Sequence, residues 1–400
     1  MIQVLITGLG IVSPLGMGTS QNRAALSRGQ HGLSRADFFE SRYTGDFYFG
    51  EVKQSDGALR AHLGPGSFEN FTRTCMLAYL AFSEAVADAG ISRELLSRPD
   101  TGLISASTVG GMCYTDQLYQ DANDLGEASP YLQSYAASAH TRHLAAHFGI
   151  HGFSDTINTA CSSSANAIAL GYRLIRSGRM KRVIVGGADS LAKYTVNGFN
   201  SLRILSESLC VPFDERRDGL NLGEGAAYLV LEAGPEVQGK SHYGQVLGYG
   251  NSNDAYHASA ISPEATGVVS SIGRALKSAG IAPGEIDYVN MHGTGTINND
   301  EMELLGMQKV FGRLPYFSST KSYTGHTLGA AGAIEAVYSL LSLNYNEIYP
   351  NLRFEQPVER FGLVPVKDFM QTGGMRNILS NSFGFSGNCT SLVFGLRNGN

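Results

Sequence analysis

Cys161 stands at the start of an apolar, helix-periodic segment, TACSSSANAIALGYRLIRSG (159–178). A thiol at a helix N-terminus faces free N–H groups and the positive end of the helix dipole, and both favour the thiolate. The three serines at 162–164 suit a first turn better than a helix interior. The stretch predicts either a nucleophile at a helix start or a buried structural cysteine, and taken alone it leaves both open.

Two histidines lie in the second half of the chain. His292 ends a strand-like run and precedes a Gly-Thr-Gly-Thr turn, a placement common in α/β active sites, although turn backbone could also hold it. His326 precedes an Ala- and Gly-rich helix, whose positive end should lower the histidine pKa and keep a neutral imidazole. Lys321 alone would be a solvated lysine. The small residues AAGA (330–333) indicate that another element packs very close.

A glycine-rich segment, SNSFGFSGNCTSLVFG (380–395), precedes the last strand-like run. Its bare N–H groups could bind a developing oxyanion. The alternative is a hairpin-like turn with phenylalanine anchors.

Strand-like and helix-like runs alternate along the chain. The strands are expected at 3–10, 101–107, 182–190, 225–233, 286–293 and 389–396, and the helices at 74–90, 161–178, 267–280 and 329–343. This alternation predicts an α/β protein whose sheets are covered by helices. The helix endings DAGI and SAGI indicate a repeat, with one half at 1–235 and a second at 236–400.

Composition and charge limit the classes of partner and location that the protein can have. Charged residues are 16% of the 400, against about 25% in typical domains, which suggests an oligomer with covered surface. The net charge of −5 gives no general attraction to nucleic acid. Five scattered cysteines without a CxxC pair favour a reducing, cytoplasmic location. No apolar run approaches the roughly 18 residues of a membrane span, and no signal peptide is expected.

Six segments in order resemble the decarboxylating β-ketoacyl-acyl carrier protein synthases, the elongating condensing enzymes of the thiolase fold. They are ITGLGIVSPLG, TACSSS, PFDERRDGLNLGEGAAYLVLE, HGTGT, KSYTGHTLGAAG and NSFGFSG. The resemblance covers essentially the whole chain. It implies two duplicated βαβαβ-type halves in a five-layered α-β-α-β-α arrangement.

The resemblance also implies roles for the site residues. Cys161 would carry the acyl chain as a thioester, and His292 and His326 would bind the thioester oxygen of malonyl-carrier as CO₂ leaves. Backbone N–H groups of Cys161 and Phe383 would hold the second oxyanion. Lys321 would organise the histidines.

Further residues follow from the same motifs. Glu303 matches the acidic partner of Lys321, and Phe383 also matches a phenylalanine that gates the acyl pocket. Asp218 and Glu224 are expected to be scaffold carboxylates. The substrate pocket is expected to include Thr108, Val109, Met112, Thr294, Thr296, Phe385 and Asn388.

One motif departs from the family. The loop usually reads GFGGT and here reads GFSGN, with Ser386 for glycine and Asn388 for threonine. This puts a straight-chain fatty acyl substrate in doubt and leaves fatty acid, polyene and polyketide-type elongation open.

The expected partner is an acyl carrier protein, which supplies the phosphopantetheine arm, so no cofactor or metal is expected. Arg203 is the first candidate for contacting this acidic carrier, followed by Arg60 and Arg73. The family implies a homodimer, and a heterodimer with a ketosynthase-like partner stays open.

The sequence leaves two other functions to compare with condensation. A non-catalytic chain-length partner keeps the fold but lacks the cysteine, whereas Cys161 is present here. A degradative coenzyme A thiolase uses a second cysteine near the C-terminus, where this chain has Cys389. Because thiolases lack the HGTGT and KS…GH pair, Cys389 is expected to serve in packing.

Overall fold

A computed structural model describes residues 2–66, 68–124, 128–237 and 239–396. The strands are β1 (Val4–Ser13), β2 (Gly16–Met17), β3 (Leu33–Ser34), β4 (Phe49–Gly50), β5 (Thr101–Ala106), β6 (Ser154–Ile157), β7 (Arg182–Asp189), β8 (Gly225–Ala233), β9 (Gln245–Asn253), β10 (Tyr288–Asn290), β11 (Tyr316–Ser318), β12 (Glu347–Ile348), β13 (Met370–Gln371), β14 (Asn377–Phe383) and β15 (Asn388–Gly395).

The helices complete the set of elements in the described part of the chain. They are α1 (Thr19–Ser27), α2 (Asp56–His62), α3 (Arg73–Asp88), α4 (Arg93–Leu96), α5 (Thr115–Asp124), α6 (Ala139–Phe148), α7 (Ser163–Arg176), α8 (Lys193–Ser201), α9 (Thr266–Ala279), α10 (Ile297–Val310), α11 (Lys321–Thr324) and α12 (Ala331–Tyr345).

Ten of the strands form two sets with the same order. The first half runs β6-β5-β7-β8-β1 and the second β11-β10-β14-β15-β9. In each set the first three strands are parallel and the last two join antiparallel. A single pairing, Leu5 opposite Gln245, connects the sets. The same order and directions in both halves show the duplication that the sequence suggested only weakly.

Helices make three layers around the two sheets. Helices α7 and α12 lie between the sheets and contact each other. Helices α3 and α6 cover the outer face of the first sheet, and α9 and α10 cover that of the second. The predicted five-layered α-β-α-β-α arrangement of the thiolase fold is confirmed. The connection between the halves runs from β8 at Ala233 to β9 at Gln245.

The central helix pair packs at backbone distance. A Cβ added to Gly332 on α12 would lie 2.7 Å from the backbone nitrogen of Ala165 on α7. The Ala333 N–H donates to the Ser164 hydroxyl at 2.9 Å. The small residues of α12 therefore allow the close approach that the AAGA segment predicted.

Strands β6, β9, β11 and β14 were not predicted, because they are short or carry polar and glycine residues such as SDTI and NILSNSF. Their neighbours in the sheets, not their own patterns, make them strands. Within the described residues, no helix combines the length and apolar character needed to traverse a bilayer.

Candidate active site

Cys161 lies in the turn between β6 and α7, just before the helix cap at Ser162. The preceding residue, Ala160, has a φ of 53°, a left-handed conformation that alanine adopts only when its surroundings impose it. The thiol is almost completely buried. The tight turn thus aims Cys161 into the interior between the two halves.

The surroundings of Cys161 favour the thiol over the thiolate, whereas the helix N-terminus alone was expected to favour the thiolate. Burial raises the pKa of Cys161 to about 11. The charge of Lys321 and backbone N–H groups of Phe385 and Cys161 lower the pKa but do not cancel the effect of burial. Desolvation of the anion outweighs the polar groups that surround it.

Lys321 connects His292 to a buried carboxylate. The Lys321 ammonium is 3.1 Å from Nδ1 of His292 and forms an ion pair with Glu335 on α12. Because an ammonium can only donate, Nδ1 accepts and the neutral ring carries its proton on Nε2. Burial, then Lys321, hold the pKa of His292 well below its ordinary value, so the ring stays neutral.

Glu303 is not the partner of Lys321, and that expectation was wrong. It accepts hydrogen bonds from the backbone N–H groups of His292 and Gly293, both at 2.8 Å, and from Asn381 at 3.1 Å. Glu303 therefore fixes the turn after β10, whereas Glu335, which lies on α12 just beyond the KSYTGHTLGAAG segment, reaches Lys321. Burial raises the pKa of Glu303 to about 8.

His326 is held in the same tautomer by backbone. The N–H of Leu328 donates to Nδ1 of His326 at 3.2 Å, which leaves the proton on Nε2. The backbone N–H of His326 donates to the Asn221 carbonyl at 2.8 Å, so a loop of the first half supports the His326 backbone. The pKa of His326 is held well below its ordinary value, as predicted. The causes are burial and then the charge of Lys321, and not the helix end that the sequence suggested.

The three reactive groups share one cavity of about 220 Å³. Sγ of Cys161 and one ring nitrogen of each histidine lie within 4.8 Å of one another. The two imidazoles meet edge to face, with ring centroids 5.3 Å apart. Thr294, Thr296 and Phe385 also line this cavity, as expected of substrate-pocket residues.

Phe385, not Phe383, supplies the second N–H at the sulfur. Phe383 ends strand β14, and its buried ring packs in the core of the second half. It also lines the cavity of Cys161 and meets the His292 ring edge to face, with centroids 6.0 Å apart. Phe385 lies in the following turn, and its N–H approaches Sγ of Cys161. A Cβ at Gly384 would lie 3.0 Å from the Cys161 nitrogen, so glycine allows this approach.

Phe385 is the less buried of the two phenylalanines that line the cavity. Its half-buried ring stacks on Phe199 inside the cavity, with centroids 5.5 Å apart and planes at 18°. Ser386 adopts a left-handed φ of 61°. Its N–H donates to the Ala258 carbonyl at 2.7 Å, which fixes this unusual turn.

Four other pocket expectations differ from the structure. Asn388 faces a separate cavity beside Asn166 and Arg274. Thr108, Val109 and Met112 do not line the cavity of Cys161. Val109 lies in a neighbouring apolar cluster, against which Met112 packs, and Thr108 donates its hydroxyl to Asp189.

The three arginines proposed to contact a carrier differ in exposure and in their partners. Arg203 is exposed and lines the cavity of Cys161. Arg73 is buried in an ion pair with Glu224 and Asp56 and cannot contact a carrier. Arg60 donates to the backbone carbonyls of Phe68 and Phe71.

The two carboxylates of the RDGLNLGEGA segment, Asp218 and Glu224, have different surroundings. Glu224 is a scaffold residue, as expected, because it is fully buried and accepts hydrogen bonds from Val52, Leu191 and Arg73. Asp218 instead is exposed and lines the cavity.

Cys389 lies on β15, fully buried in the core formed with α9. It does not line the cavity of Cys161. Packing, and not acid–base chemistry, is its structural role, as expected.

Sequence reasoning missed Glu335 and Asp189. A signal existed for Glu335, since it is the only charged residue in the otherwise apolar helix AGAIEAVYSLLSL, and a carboxylate is rarely buried without a partner. Asp189 ends a wholly buried strand and gave a similar but weaker signal.

Comparison with known sequence families agrees with this geometry. The β-ketoacyl synthase N-terminal domain matches residues 1–236 and the β-ketoacyl synthase C-terminal domain matches residues 243–355.

Similar proteins include a 3-oxoacyl-[acyl-carrier-protein] synthase 2 from Coxiella burnetii, 32% identical over 98% of both chains. Among solved structures, the ishigamide ketosynthase/chain length factor is 28% identical with a TM-score of 0.93, covering 99% of this chain and 100% of that one. A ketosynthase in complex with its chain length factor from Xenorhabdus doucetiae is 31% identical with a TM-score of 0.87, covering 99% and 98%. The chain belongs to the β-ketoacyl synthase family of acyltransferases.

Proposed function

We propose that this chain condenses an acyl group held on Cys161 with a malonyl group held on an acyl carrier protein. The observation that carries the proposal is the meeting of Sγ of Cys161 and one ring nitrogen of each histidine within 4.8 Å in one cavity. That arrangement offers a nucleophile beside two neutral hydrogen-bond donors.

In the first step the Cys161 sulfur attacks the carbonyl of an acyl-carrier thioester. A carbon–sulfur bond forms to Cys161, the bond to the carrier sulfur breaks, and the carrier thiol leaves with the proton of Cys161. Backbone N–H groups of Cys161 and Phe385 stand where they can stabilise the tetrahedral oxyanion.

In the second step the malonyl carboxylate leaves as CO₂, and its bonding electrons form the enolate of the thioester. The Nε2–H groups of His292 and His326 donate to the enolate oxygen. Since both imidazoles are neutral, each can donate a hydrogen bond to the enolate oxygen without transferring its proton. The enolate carbon then attacks the acyl-Cys161 carbonyl, and collapse releases the β-ketoacyl chain on the carrier and the Cys161 thiolate, which regains a proton from solvent.

The phosphopantetheine arm would arrive with the carrier and enter between Thr294 and Phe385 in the cavity wall. Thr294 and Thr296 share a hydroxyl hydrogen bond of 2.8 Å and could bind its amides. Exposed Arg203 at the same cavity suits an acidic carrier. The proposal needs no further cofactor or metal.

The proposal includes assembly with a second chain, and a homodimer is the simplest form. Strand β6 is the outer strand of the first sheet, and half of its residues are exposed, so its free edge can pair with another strand. Two of the similar structures hold a chain length factor, which supports a heterodimer as the alternative. The five free cysteines fit a reducing, cytoplasmic location.

The test is to offer acyl-carriers of different length and saturation and to record which one adds its mass to Cys161. Malonyl-carrier is then added and CO₂ release is followed. Loading followed by CO₂ release and a β-ketoacyl product supports the proposal, whereas a thiolase would release no CO₂. A chain-length partner would not load at all.

A further inference from the structure

Asp189 ends strand β7 and is completely buried. Its carboxylate accepts hydrogen bonds from two segments that are far apart in sequence. The turn 107–110 donates two hydroxyl and two backbone N–H groups at 2.6 to 2.9 Å. Gly329 donates its backbone N–H at 2.7 Å. One carboxylate therefore joins a turn of the first half to the loop that follows His326.

The contact with Gly329 leaves no room for a side chain. A Cβ at this position would lie 2.8 Å from the Asp189 carboxylate and 3.1 Å from the Thr108 methyl group. The carboxylate thus touches the backbone of the loop directly, and glycine permits it.

The residue before Gly329 is strained. Leu328 has a φ of 54°, and a left-handed conformation costs a residue with a Cβ about 1–2 kcal/mol. Such a conformation persists only where neighbouring contacts impose it. The Gly329 N–H, one peptide bond beyond Leu328, is the contact that Asp189 makes.

The strained residue is the one that orients His326. The Leu328 N–H donates to Nδ1 of His326 at 3.2 Å, which puts the imidazole proton on Nε2. If the contact between Asp189 and Gly329 were lost, the peptide that joins Thr327 to Leu328 could rotate as the loop relaxed. Its N–H would then leave Nδ1, and Nδ1 could carry the proton instead. The chain of contacts runs Asp189, Gly329, Leu328, His326.

We propose that Asp189 is a positioning residue that holds Leu328 in its left-handed conformation and so keeps His326 in the Nε2–H tautomer. The effect of this positioning on catalysis rests on the proposed condensation reaction. The tautomer itself does not depend on which reaction the site performs.

The test is Asp189→Asn. An amide places an NH₂ group against either Gly329 or the turn 107–110, so one segment loses its acceptor. With ¹⁵N-labelled histidine, and His326→Asn to identify the signals, the wild-type protein should show one Nε2–H tautomer and the variant a mixture. The kcat for CO₂ release from malonyl-carrier should fall about 10-fold to 100-fold, as for outer partners of metal-binding histidines, with KM changed less than about 3-fold.

Gly329→Ala tests the same contact from the other side and serves if Asp189→Asn does not fold. Its added methyl group must push the loop off the carboxylate. It should give the same mixed tautomer and the same fall in kcat.

Asp287→Asn is the matched control. Its carboxylate also accepts two backbone N–H groups, from Arg376 at 2.7 Å and Asn377 at 2.9 Å, but at the end of β10 away from His292. The Asp287→Asn variant should keep His326 in the Nε2–H tautomer and leave kcat unchanged.

The proposal is overturned if His326 keeps a single Nε2–H tautomer in Asp189→Asn, or if Asp287→Asn lowers kcat equally at an equal loss of melting temperature. A changed tautomer in a protein that never condenses acyl groups would uphold the positioning role and overturn the proposed function.

Discussion

Nζ of Lys321 lies 3.1 Å from Nδ1 of His292, and the same ammonium is paired with Glu335 inside the protein. One buried cation thus orients a neutral imidazole and balances a buried carboxylate. The second imidazole, His326, takes its orientation from backbone instead. The two histidines present the same tautomer for two different structural reasons.

Cys161→Ala should abolish condensation while CO₂ release from malonyl-carrier persists. The substitution removes the nucleophile but leaves both Nε2–H donors, which stabilise the enolate. Radiolabelled CO₂ and product mass are measured in parallel. His292→Ala should lose both activities, and equal loss of both in Cys161→Ala would contradict the separation of roles.

Alkylation of Cys161 by iodoacetamide should accelerate with pH up to about 11. Since the thiol pKa is raised to about 11, only the minor thiolate fraction reacts near neutral pH, and that fraction grows about tenfold for each pH unit. The rate is followed by intact mass from pH 7 to 10.

In Lys321→Met the alkylation profile should move to higher pH, because the cation that lowers the thiol pKa is gone. A plateau below pH 8 in the parent protein would show that the thiolate already dominates there.

Glu335→Ala should destabilise the protein by about 3–5 kcal/mol, because it leaves the Lys321 ammonium buried without its partner. The double variant Lys321→Met/Glu335→Leu should recover much of that loss while remaining inactive. Urea unfolding of the parent protein, Lys321→Met, Glu335→Leu and the double variant gives the coupling energy. Additive losses would mean that the two side chains do not depend on each other.

Phe385→Ala should change acyl loading more than stability, whereas Phe383→Ala should cost about 3–5 kcal/mol of unfolding free energy as a large core truncation. Both residues line the cavity, but Phe385 is half-buried whereas Phe383 is buried and packed in the core. Loading rates and urea unfolding are measured for both. The reverse pattern would support Phe383 as the gate.

Arg203→Glu should raise the apparent KM for carrier-bound substrates and leave small thioester mimics unaffected, because an acidic carrier would meet a reversed charge at the cavity. Arg60→Glu is the comparison, since its guanidinium is engaged by backbone carbonyls. An equal effect of Arg203→Glu on carrier and mimic substrates would refute a docking role.

Much of this protein could be predicted from its sequence. Helix periodicity and capping placed α3, α7, α9 and α12 to within a few residues, because those signals are local. The order of six motifs indicates the family, and the same motifs contain Cys161, His292, His326 and Lys321.

Other features were decided only by tertiary structure. The partner of Lys321 is Glu335 and not Glu303, because side-chain direction on two different helices determines which carboxylate reaches the ammonium. The N–H that approaches the Cys161 sulfur is that of Phe385, because β14 ends at Phe383 and the chain turns only afterwards. The pKa of the Cys161 thiol is raised because elements distant in sequence remove it from water, and this desolvation outweighs the charge and N–H groups around it.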